Sequence, residues 1–132
     1  MERDIALSRL WKSLIDVEDY FRNGINAELE EPHLFGGKMA APITNVYLCF
    51  NAAKPFLAHE TADLAESATH IAAKEFNDVL HLSRRAMVLT DRDEAKRIVQ
   101  NKLDSSLELF RRSTILLKQI IADSIGGEHE SR

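Results

Sequence analysis

The stretch FLAHETADLAESATHIAAKEFNDVLHLSRRAMVLTDRDEAKRIVQNKLDSSLELFRRSTILLKQIIADSI, residues 56–125, contains no glycine and no proline. Apolar residues recur through it at steps of three and four, which marks one face of a helix with 3.6 residues per turn. The pattern predicts two helices of roughly 30 residues each, about 45–50 Å long at 1.5 Å per residue. Long amphipathic rods of this kind serve assembly and surface binding more readily than the convergent pockets that catalysis needs. No enzymatic role is therefore expected.

The first of these helices, predicted over 56–88, carries Leu57, Leu64, Ala68, Ile71, Ala72, Val79, Leu82 and Ala86 on one side. The small Ala65, Ala68, Ala72 and Ala73 permit close approach of a neighbour. Thr90 and Asp91 are candidate N-caps, because Asp93 and Glu94 follow at capping-box distance. A turn at 88–91 then folds the chain back into a second long helix over 92–125. One unbroken helix of about 70 residues is the alternative, and ordinary helix lengths favour the hairpin. On the last helix Ile98, Val99, Leu103, Leu107, Leu109, Phe110, Leu116, Leu117, Ile120, Ile121 and Ile125 span half the circumference. An arc that wide either lies between two helices or packs partly on another subunit or surface. Gly126-Gly127 is expected to end the helix, leaving 126–132 as a polar tail.

Working outward, Leu7, Leu10, Trp11, Leu14, Val17 and Phe21 define a helix over 4–23, with Gly24 as its stop. Pro32, Gly36, Gly37 and the acidic Glu28, Glu30 and Glu31 break the pattern, so 24–41 is expected to be a loop. Pro42 suits a first helical position, and Ile43, Val46, Tyr47, Phe50 and Ala53 continue a helix over 42–54 until Pro55 ends or kinks it. The fold class is thus all-α: an elongated helical bundle built on a long antiparallel hairpin, with two shorter N-terminal helices and coiled-coil-like packing, as one domain over 1–132.

Composition sets further bounds. A net charge of −4 with dispersed basic residues gives no cationic footprint for nucleic acid. The single Cys49 cannot form an internal disulfide, suits a reducing cytoplasm and is read as a core thiol. The acidic start Met1-Glu2-Arg3-Asp4 is not a secretory signal, and no run of 18 apolar residues predicts a transmembrane segment.

Several polar patterns bear on chemistry. His59, Asp63, Glu66, His70, Asn77 and His81 recur along one side of the third helix. His59, Asp63, Glu66 and His70 are an alternative metal set, which needs another helix to close it because residues 11 apart stand about 16 Å apart along the axis. A phosphoryl-accepting histidine is a further alternative, although His70 is followed by Ile71, Ala72, Ala73 and Lys74 without a glycine. The pairs Glu60/Asp63 and Glu75/Asp78 are similar to acidic motifs of all-α pyrophosphohydrolases and read more simply as solvated charge. Gly36-Gly37-Lys38 lacks the rest of a phosphate loop. No cofactor is expected.

Ala40-Ala41-Pro42-Ile43-Thr44, a long alanine-rich helix, a short polar turn, Asp93-Glu94-Ala95, Gln100 and Ser105-Ser106-Leu107-Glu108-Leu109-Phe110 together resemble the phasins over residues 40–125. Phasins are small helical proteins of the bacterial cytoplasm that coat polyhydroxyalkanoate granules. The resemblance implies a coat or scaffold on an apolar surface or partner, with self-association as a dimer or tetramer. An adaptor that binds a protein partner is the further alternative. Val46, Tyr47, Phe50, Leu116, Ile120 and Ile121 are the residues expected to make the apolar contact. The additional Trp11-containing helix and the abundance of histidine and charge depart from the phasin pattern.

Overall fold

The computed structural model describes residues 2–23 and 41–130, with side chains described as far as residue 125. Four α-helices and one short 3-10 turn account for nearly all of it: α1 Glu2–Asn23, α2 Ala41–Ala53, the turn Lys54–Phe56, α3 His59–Ala86 and α4 Arg92–Glu130. No strand occurs among the described residues. The expected loop over 24–41 lies outside them, apart from Ala41, which opens α2. The Gly24 stop and Gly36-Gly37-Lys38 also lie outside them.

Pro55 sits in the 3-10 turn, and the next residues leave helical geometry, Leu57 at φ −100°, ψ 141° and Ala58 at φ −61°, ψ 152°. The third helix therefore begins at His59, three residues later than the pattern alone places it. Its other end is a hairpin turn. Met87 N–H donates to the Ser83 carbonyl at 3.1 Å and Leu89 N–H to that of Ala86 at 3.1 Å, after which the chain reverses. Asp91 caps α4, its Oδ1 accepting from the backbone N–H of Asp93 at 3.0 Å and Glu94 at 3.2 Å. Those are two of the four donors that a helix start leaves unpaired. Asp91→Ala is expected to lower stability by about 1 kcal/mol, read as a shift in the urea midpoint with an unchanged slope.

The far end of α4 departs from expectation. The helix runs on through Gly126-Gly127 to Glu130. A glycine stop works by turning the backbone left-handed, and no described glycine has a positive φ. The backbone over 126–130 is helical rather than a frayed tail.

Leu7, Leu10, Leu14, Val17 and Phe21 of α1 are all buried, as their spacing predicts, whereas Trp11, read on the same face, is exposed. They meet Val99, Leu103, Phe110, Leu117 and Ile121 of α4, Ala65, Ala68, Ala72 and Val79 of α3, and Val46, Phe50 and Ala53 of α2 in one core. Packing runs round a ring: α1 against α2 and α4, and α3 against α2 and α4. Phe21 meets Phe110 at 6.2 Å between ring centroids, whereas Arg3 and Leu7 share a small cavity with Ile121 and Ser124, so α1 and α4 are antiparallel. Phe56, after the end of α2, joins the start of α1 in that cavity, so α2 also runs against α1. The result is an up-down-up-down four-helix bundle. The middle of its wide α4 arc, Val99, Leu103, Phe110, Leu117 and Ile121, is covered by α1 and α3, whereas Leu109 and Leu116 at its edge stay exposed.

Two buried hydroxyls bond back to their own helices, Ser13 to the Leu10 carbonyl at 2.6 Å and Thr114 to that of Phe110 at 2.8 Å. This satisfies each donor without a cross-helix partner. No buried side-chain polar atom among the described residues lacks a partner.

Candidate functional site

Of the six residues expected to touch an apolar surface, Val46, Phe50 and Ile121 are sealed in the core. Positions 46, 50 and 53 form the inward row of α2, which necessarily turns the intervening Tyr47 and Leu48 outward. Ile120 is half-buried and lines a 250 Å³ cavity where the start of α1 meets the Phe56–Ala58 segment. Tyr47 and Leu116 are exposed. Only these two of the six stand ready for an external contact, and the other burial is spent inside the chain.

The histidine stripe does not close into a site. His59, Asp63, Glu66, His70 and His81 are exposed, and His59 Nε2 stands 3.7 Å from Asp63 Oδ2. Among the described residues no three His, Cys, Asp or Glu side chains are grouped to hold a metal ion. The physical reason is the one-faced placement, since residues 11 apart on one helix stand about 16 Å apart along its axis.

A different arrangement emerges on the outside of the α3–α4 hairpin. Lys102, Leu109 and Leu116 follow one another at steps of seven on α4, and Leu64, Ile71 and Asp78 do so on α3. Seven residues is close to two turns, so each set forms a row. Lys102 Nζ lies 3.8 Å from Asp78 Oδ2, which joins the two rows across the seam. The antiparallel register then sets Ile71 level with Leu109 and Leu64 level with Leu116. Leu109 and Leu116 are 43% and 55% exposed, while Leu64 and Ile71 are half-buried against the core. Two exposed leucines with two half-buried neighbours thus form an apolar stripe, closed at one end by an ion pair.

That end is anchored inside the bundle by Glu75. Its Oε1 accepts from Lys102 Nζ at 3.0 Å and from Ser106 Oγ at 2.8 Å, and Lys74 Nζ stands 3.6 Å from Oε2. Burial pushes the Glu75 carboxyl up, but the bonds from Lys102 and Ser106 and the charges of both lysines outweigh it, leaving the group below the ordinary glutamate value. Asp78 is also lowered, chiefly by its hydrogen bond from Lys74, and the same bond raises Lys74. A second cross-helix tie joins Lys118 of α4 to the buried Glu18 of α1.

Across the molecule, α1 and α2 bound an open groove of about 740 Å³. Ile5, Leu48 and Phe56 supply its large apolar walls, Ala6 and Ala52 its small ones, and Glu2, Arg9 and Asn45 its polar groups. Cys49 also lines it, half-buried at the edge of the core with its Sγ 3.8 Å from Asn45 Oδ1. It is not the fully enclosed thiol expected. No described helix is long and apolar enough to cross a membrane.

Comparison with known protein families, with curated proteins and with solved structures finds no match.

Proposed function

We propose that this chain is a non-enzymatic, phasin-like helical protein that coats an apolar phase, such as a polyester granule, through the outer seam of its α3–α4 hairpin. The supporting observation is the row of Leu64, Ile71, Leu109 and Leu116, in register across the seam, with Leu109 and Leu116 exposed and Leu64 and Ile71 half-buried beside them. A cytoplasmic location and lateral self-association belong with this reading. Removing a half-exposed leucine from water contributes about 1 kcal/mol at 25 cal/mol per Å². Adsorption therefore depends on several side chains acting together, as along the row of an amphipathic helix.

Co-sedimentation with purified polyhydroxyalkanoate particles tests it. The protein is expected in the pellet, and the double variant Leu109→Asp/Leu116→Asp is expected to bind roughly 30-fold more weakly, since two apolar contacts are lost and two charges would enter the surface. His70→Ala should pellet like the parent. Far-ultraviolet circular dichroism confirms the fold, because both leucines point outward and the core is untouched. Parent protein left in the supernatant, or a double variant that pellets equally, refutes the reading. Phe50→Asp is unsuited to this test, because Phe50 is a core residue whose change unfolds the bundle.

A further inference from the structure

The α1–α2 groove carries a charge pattern that matches its own two-fold image. Glu2 and Arg9 stand seven residues apart on one row of α1, about 10 Å along the axis, and both line the groove. Among the described residues neither has an ion-pair partner. Midway between them lie Ile5 and Ala6, and the α2 side supplies Leu48, Cys49 and Ala52. Ile5 and Leu48 are 52% and 57% exposed, and both line this one groove rather than standing singly on the surface.

We propose that this groove is the interface of a two-fold dimer, occupied by the same groove of a second copy of the chain. A two-fold interface requires that if residue i meets residue j, then j meets i. Glu2 and Arg9 meet that condition: the axis passes between Ile5 and Ala6, Glu2 faces Arg9 of the second copy, and Arg9 faces its Glu2. The large Ile5 and Leu48 of each copy enter the space over the small Ala6 and Ala52 of the other, as knobs into holes. Cys49 falls near the axis, so the two thiols come close together. The inference deepens the self-association in the proposed function by giving it an interface, and because it uses the opposite pair of helices it can hold or fail apart from granule coating.

Sedimentation equilibrium on the full chain, without particles, is the test. A dimer is expected, and Leu48→Glu is expected to be monomeric with an unchanged helical spectrum. Glu2→Arg and Arg9→Glu each place like charges opposite one another twice, so each is expected to weaken the dimer about tenfold. The double variant Glu2→Arg/Arg9→Glu restores opposite charges and is expected to recover the parent affinity. A short bismaleimide should join two copies through Cys49, the chain's only cysteine, in the parent and not in Leu48→Glu. A monomer at every concentration, a dimer indifferent to Leu48→Glu, or a double variant no tighter than the single ones overturns the proposal.

Discussion

Phe110→Ala is expected to lower the unfolding free energy by about 3–5 kcal/mol, the range for deleting a fully buried aromatic ring. Phe110 is 0% exposed and belongs to a chain of rings that joins three helices. Phe110 of α4 meets Phe21 of α1 at 6.2 Å, Phe21 meets Tyr20 at 5.1 Å, and Tyr20 meets Phe76 of α3 at 5.9 Å. Removing the ring leaves a void at the one level where α1, α3 and α4 converge on aromatic contacts, and neighbours held by their own helices cannot collapse into it. Such a loss is a large fraction of the 5–15 kcal/mol typical of a domain. Urea unfolding followed by circular dichroism measures it. A loss below about 1 kcal/mol would mean that the rings do not pack as described.

Glu75→Ala is expected to cost about 2–3 kcal/mol, because it strands the fully buried Ser106 hydroxyl and leaves the Lys102 ammonium, a quarter exposed, without its closest carboxylate. The pH dependence has a fixed sign. A carboxyl held below its ordinary value in the folded chain stabilises that chain at any pH above the ordinary glutamate value. The contribution is lost as the pH falls through the lowered folded value. Stability of the parent is therefore expected to decline on acidification, and Glu75→Gln is expected to give a shallower decline. Asp78, lowered chiefly by Lys74, keeps part of the slope in both proteins, so the difference between the two curves belongs to Glu75. Parallel curves would contradict the assignment.

Much of this architecture is legible in the residues themselves. The step of three and four in Leu7, Leu10, Leu14, Val17 and Phe21 identifies α1 and its buried face, and the Asp91-Arg92-Asp93-Glu94 run marks the start of α4. Direction within a face is harder to read. Val46, Tyr47, Leu48 and Phe50 are all apolar or aromatic, and only the later Ala53 reveals which of two rows turns inward. The two glycines at 126–127 mark a stop only if the backbone there turns left-handed, and that depends on geometry rather than composition. The outer seam was present in the sequence as the two rows of sevens. Their alignment, however, depends on Lys102 reaching Asp78, a contact between residues 24 apart that no local period encodes. The groove was less visible still, because it requires knowing that α2 lies along the first half of α1.

The ring order of the helices has one more consequence. Because α1 and α2 occupy one flank of the bundle and α3 and α4 the other, copies joined through the first flank would turn their oily stripes away from each other. Such a pair is double-sided, more a rivet between two droplets than a tighter grip on one. Its natural outcome is clustering of neighbouring granules, visible as rising turbidity.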